Sequence, residues 1–105
     1  MDKRTLKTDE INAALGRLSD WEFVGGKLCR EFRFRDFSEA FGFMTRVALV
    51  AENIGHHPEW SNVYGTVKVE LFTHDVNGIT DFDLTMAGKM DVFAAPLLKA
   101  VDCFE

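Results

Sequence analysis

Three observations lead to an α+β fold for this 105-residue chain. Apolar residues recur at three-and-four spacing in three separate segments, period-two alternation fills the stretches between them, and Gly25-Gly26 and Asn77-Gly78 break the alternating stretches where turns belong. The order α-β-β-α-β-β-α predicts a four-stranded antiparallel sheet with three helices packed on one face. With 47% hydrophobic residues, ten Phe and two Trp among them, there is material for one core, and a single domain over residues 1–105 is expected.

Thr8, followed by Asp9 and Glu10, reads as an N-cap with acids set against the helix dipole. Ile11, Ala14, Leu15 and Leu18 then describe a first helix from about Asp9 to Leu18 with one buried face. Trp21 and Phe23 alternate with polar neighbours up to Gly25-Gly26. Beyond that turn Leu28, Arg30, Phe32 and Phe34 alternate with Cys29, Glu31, Arg33 and Arg35, which predicts a hairpin. The arginines on its outer face admit an anion-site reading, but a solvated sheet face outweighs it.

Asp36 caps the longest helix and Glu39, three residues on, completes a capping-box arrangement. The stripe Phe37, Ala40, Phe41, Met44, Val47, Ala48, Ala51 and Ile54 predicts its buried face, and Gly55 is placed to end it in the left-handed conformation. Phe43, Arg46 and Val50 lie off that stripe, and Gly42 suggests a close approach of another backbone or of a second subunit. Next, Val63, Gly65, Val67, Val69 and Leu71 point to one face of a strand, with Tyr64, Thr66, Lys68, Glu70, Phe72 and His74 on the other. Asn77-Gly78 followed by Thr80, Phe82, Leu84 and Met86 in alternation with Asp81, Asp83 and Thr85 predicts a second hairpin. Met90, Phe93, Leu97, Ala100, Val101 and Phe104 form a last helical stripe, which Pro96 either kinks or starts late.

The formal net charge of −5, with no basic stripe, argues against direct nucleic-acid binding and against anionic membranes. No apolar run approaches the roughly 18 residues of a spanning helix, and no basic-then-apolar leader opens the chain, so a soluble, cytoplasmic protein is expected. Cys29 and Cys103 lack CxxC spacing and read as ordinary thiols.

All three histidines fall between Glu52 and Asp83. Imidazole, with an unperturbed pKa of about 6.5, gives or takes a proton near neutrality, so His56, His57 and His74 are the candidate chemistry. The pair sits at a helix-to-strand corner, four residues after Glu52, and Pro58 stiffens the exit. Three imidazoles also suit a catalytic zinc, although the spacing is not that of a helical HExxH motif.

The run Glu52, His56-His57-Pro58, Tyr64, His74 and Asp83, preceded by FSEAFGFMTRVALVAE, resembles the signature and long helix of the pterin-4a-carbinolamine dehydratases. The resemblance covers nearly the whole chain. It implies dehydration of 4a-hydroxytetrahydropterin to quinonoid dihydropterin, in tetrahydrobiopterin recycling, by acid/base catalysis with no metal or cofactor. It also implies His56 and His74 as acid/base groups and His57 as chiefly a substrate-binding group. Glu52 then orients an imidazole, and Gly55 to His57 with Phe72, Thr73, His74 and Asp75 hold the pterin. Family members often carry an acid where this chain has Gly55, so that side-chain contact is lost. Weighed residue by residue, Tyr64 and Asp83 read as structural, Asp83 as a strand-exposed acid, and Trp60 admits simple packing. A homodimer or homotetramer is implied as well. The alternative function is a non-enzymatic one, a dimerisation cofactor for a transcription factor, with Phe43, Arg46 and Val50 as the contact face.

Overall fold

In the computed structural model, which describes residues 1–102 and the side chains of residues 1–98, the order is α1 (Thr8–Leu15), β1 (Glu22–Val24), β2 (Lys27–Arg33), α2 (Phe37–Ile54), β3 (Glu59–Val63), β4 (Thr66–Leu71), a 3-10 turn (His74–Val76) and α3 (Asp81–Asp102). The strands form one antiparallel sheet in the order β1-β2-β4-β3. The α-β-β-α-β-β-α architecture therefore stands. Cys103 and Phe104 lie outside the described residues, as do the side chains of Ala100 and Val101.

The first hairpin turns at Gly25 and Gly26, whose φ values of 60° and 80° match the twist of paired antiparallel strands. The second lies earlier than the alternation suggested. Tyr64-Gly65 turns β3 into β4, so the predicted single strand over 63–74 is two elements, and Tyr64 is held at φ 51°. The Asn62 amide donates to the carbonyls of Tyr64 and Thr66, both at 2.9 Å, which holds the turn shut. Gly65 is where backbones close in, since its carbonyl accepts from the Phe34 N–H at 2.7 Å and a Cβ there would stand 2.5 Å from the Phe34 carbonyl oxygen.

Residues 81–86, expected as the fourth strand, belong to α3. Period two and period 3.6 both fit a short apolar run, and the burial of Thr80, Asp83, Met86, Ala87, Met90 and Ala94 shows that the helical period prevails. Pro96 sits inside α3 without delaying its start. The carbonyl four residues before it belongs to exposed Val92, where water can replace the missing N–H.

At α1 the cap is Lys7 rather than Thr8, because the Glu10 carboxylate accepts from the Lys7 N–H at 2.9 Å and is itself gripped by Arg4 at 3.0 and 3.1 Å. Those bonds hold the Glu10 carboxyl down at about 2. The helix ends at Leu15, and residues 16–18 continue as three-residue turns that still bury Leu18.

On α2 the buried face is rotated from the expected one: Ala40, Phe43, Val47 and Ala51 face the core, while Phe37, Phe41 and Ala48 are exposed. Apolar residues occur nearly all round this helix, so the choice falls to packing. Phe43 fills the space between Phe32 and Phe34, with ring centroids 4.8 and 4.9 Å away. Gly42 has nothing within 4 Å of a built Cβ, so no backbone of this chain approaches it. The exposed arginines at the end of β2 and just beyond it are neutralised rather than set out for an anion, Arg33 by Glu31 at 2.6 Å and Arg35 by Glu39 at 2.7 Å.

Gly65→Ala should lower folding stability by about 1–3 kcal/mol, the cost of overpacking a site that cannot yield. Gly42→Ala, on an open helix surface, should raise it by about 0.5–1 kcal/mol. Urea unfolding of the two variants checks both signs.

Candidate active site

Antiparallel pairing puts the starts of β2 and β3 and the end of β4 at one end of the sheet. The residues just before β3 and just after β4 therefore meet there, which gathers His56, His57, Phe72, Thr73, His74 and Asp75. Tyr64 is at the opposite end, 81% exposed in its turn, and takes no part.

Local chemistry places the histidine pair. The Asp36 carboxylate accepts from the Glu39 N–H at 2.8 Å to start α2, and Gly55 at φ 68° stops it. The His56 N–H then closes back on the Ala51 carbonyl at 3.1 Å, which fixes the His56 backbone against the helix end. Adjacent residues leaving a helix diverge. His56 is buried at 8% exposure, and His57 is exposed.

Asp83, expected as a strand-exposed acid, is instead fully buried near the start of α3. One oxygen accepts from His56 Nε2 at 2.6 Å; the other accepts from the Thr73 hydroxyl at 2.7 Å and the Thr80 N–H at 2.9 Å. The Thr80 and Thr73 hydroxyls lie 2.8 Å apart, and the Phe82 N–H donates to Thr80 at 3.2 Å. Thr80 thus caps α3 through its hydroxyl, the Asp83 carboxylate reaches back to the Thr80 N–H as in half of a capping box, and the same carboxylate serves His56. The sequence carries this signal as Thr-x-x-Asp, which alternation masks.

The other two rings are paired in the same sense. His57 Nε2 meets Glu52 at 2.7 Å on the surface, so Glu52 does contact an imidazole. His74 Nε2 meets Glu59 at 3.2 Å, and its ring packs edge-on to Phe72 with centroids 5.1 Å apart. An ionised carboxylate only accepts, so each Nε2 carries a proton, and in the neutral form of each ring Nδ1 keeps the lone pair. Among the described residues no hydrogen bond occupies any of the three Nδ1 atoms. For His56 this means that Nδ1 reaches solvent, because no fully buried side-chain nitrogen or oxygen among the described residues lacks a partner.

Asp75 links the rings electrostatically. Its carboxyl lies below the usual range chiefly through its bond to Lys3, and His56 and His74 both act on it in the same direction. Glu59 is likewise lowered, first by Lys27 and then by His74. The Thr73 hydroxyl is spent on Asp83 and Thr80, whereas Phe72 is half-buried and Gly55 exposed at the rim. Among the described residues no three His, Cys, Asp or Glu side chains lie so as to hold a metal ion. Cys29 is half-buried on β2, where burial raises its thiol.

Residues 4–93 match the family described as Pterin 4 alpha carbinolamine dehydratase. The chain belongs to that family. Among its relatives, a Bradyrhizobium sp. protein is 57% identical over 94 residues, covering 88% of this chain and 95% of its own. A Mesorhizobium japonicum protein is 54% identical over 93 residues, covering 87% and 95%. Both carry the provisional name pterin-4-alpha-carbinolamine dehydratase. A crystal structure from Brucella melitensis, described as a transcriptional coactivator/pterin dehydratase, superposes with a TM-score of 0.84 at 48% identity, covering 87% of this chain and 99% of that one. Among the described residues no helix is long and apolar enough to cross a membrane.

Asp83→Asn turns one acceptor into a donor inside a buried network. It should cost about 1–3 kcal/mol, whereas Glu52→Gln on the surface should stay within about 0.5 kcal/mol. Denaturant unfolding of both variants separates the buried carboxylate from the exposed one.

Proposed function

We propose that this chain dehydrates 4a-hydroxytetrahydropterin to quinonoid dihydropterin, with proton transfer by His56 and His74. The observation that carries the reading is the arrangement of Nε2–H on a carboxylate and Nδ1 open, repeated on imidazoles at one end of the sheet. Membership of the family supplies the substrate class. Elimination needs a proton delivered to the hydroxyl as the C–O bond breaks and another removed from a ring nitrogen, so that water leaves and the net proton count is unchanged. A ring that accepts at Nδ1 becomes an imidazolium, and Asp83 behind His56 or Glu59 behind His74 stabilises that charge. His57 is the substrate-binding member, exposed beside Glu52. Phe72 offers an apolar face for a flat heterocycle.

The test is stopped-flow absorbance with freshly generated 4a-hydroxytetrahydropterin, measured against the spontaneous rate. Acceleration is expected, and its absence ends this reading. His56→Ala and His74→Ala should lower kcat by roughly 10²- to 10⁴-fold, while His57→Ala acts mainly on KM. If all three variants change KM alone, the histidines only bind the pterin.

A second reading, a protein-interaction role, is favoured by the exposed stripe Phe37, Phe41 and Leu49 on α2, at 53, 55 and 69% exposure. The Brucella melitensis relative is described as a transcriptional coactivator as well as a dehydratase. Such a stripe supports self-association, with a homodimer or homotetramer as the product. Light scattering should give a mass that is a multiple of 11.9 kDa, and Phe41→Glu should reduce it; a lone 11.9 kDa species at micromolar concentration removes the idea.

A further inference from the structure

We infer that Glu59, clamped by Lys27, is a positioning residue for His74. The inference rests on the proposed acid/base role of His74. Three strand ends build the cluster: Lys27 opens β2, Glu59 opens β3, and Phe72 and His74 follow β4. Lys27 Nζ reaches both oxygens of Glu59 at 3.2 Å, and Glu59 Oε1 accepts from His74 Nε2 at 3.2 Å. The same ammonium stands 5.8 Å from the centroid of the Phe72 ring, with which the His74 ring makes a T-shaped contact. Lys27 is the most sheltered of the three charged groups, with a side chain 28% exposed against 42% for Glu59 and 70% for His74.

Two consequences follow from those contacts. The His74 ring, largely open to solvent, has its orientation set by Glu59 on one nitrogen and Phe72 on its edge. Its tautomer is set as well, because a carboxylate held ionised by Lys27 accepts only from Nε2–H and leaves Nδ1 as the proton acceptor. Partners of this kind, which act through another side chain, typically matter by roughly 10- to 100-fold. His56 is served in the same way by Asp83, but there the carboxylate also caps a helix. Among the described residues the Glu59 carboxylate hydrogen-bonds only to Lys27 and His74, and it caps no helix.

The test joins imidazole ¹⁵N NMR to a double-mutant cycle. In the unsubstituted protein His74 should show the Nε2–H tautomer, and Glu59→Ala should turn it into a mixture. Glu59→Ala should lower kcat by roughly 10- to 100-fold with little change in KM, and Lys27→Met should act in the same direction and less. In a His74→Ala background Glu59→Ala should cost nothing more, as expected for one residue acting through the other. An unchanged His74 tautomer, or an equal loss of activity in the His74→Ala background, overturns the inference. Should the unsubstituted protein show no dehydration, the proposed function fails, and the tautomer measurement still decides whether Glu59 governs His74.

Discussion

The Asp83 carboxylate is the contact on which the rest of the site depends. It is fully buried, and a buried charge is tolerated only when its lone pairs are met; here His56, Thr73 and Thr80 meet them. Those donors come from the end of α2, the exit of β4 and the start of α3. One side chain therefore ties three element ends together and at the same time sets the orientation of an imidazole. Helix capping and ring orientation share one group, so the fold and the chemistry cannot be varied independently at this position.

Each imidazole has its own carboxylate, and the three pairs differ in their surroundings. The His56–Asp83 pair is buried and held by further hydrogen bonds, the His57–Glu52 pair stands in solvent, and in the His74–Glu59 pair an exposed ring meets a more sheltered acid with a lysine behind it. In a low-dielectric setting a hydrogen bond to a charged group is stronger and less screened, so the same chemical motif ranges from rigid to loose across a few residues.

Elsewhere the acids hold the frame. Asp91 on α3 accepts from the Trp21 indole at 2.8 Å and from Arg30 at 2.6 Å, and Arg30 lies over Phe32 at 4.2 Å. A cation on the inner side of the sheet is thus neutralised by the covering helix, and α3 is locked to β2 at the same height. The uncovered face instead carries Glu22, Glu31, Lys68 and Glu70, where Lys68 stands 4.0 Å from Glu31 and Lys27 stands 4.0 Å from Glu70.

The amino-acid sequence by itself determined the features that contacts within a few residues decide. These are the helix–strand order, the Gly25-Gly26 hairpin, the start of α2 at Asp36 with Glu39, its end at Gly55, and the confinement of the histidines to one region. Tertiary structure decided where the chain's own periodicities tie. The Thr80 to Met86 run fits two periods, and burial of Thr80, Asp83 and Met86 on one helical face, with Asp83 against His56, selects the helix. The apolar residues of α2 surround it, and only the gap between Phe32 and Phe34 chooses Phe43. Glu59 and His74 are fifteen residues apart, across a hairpin whose turn is Tyr64-Gly65 rather than Asn77-Gly78. Register sets such a contact, and register depends on which faces are buried together, a property of the packed chain that no local segment carries.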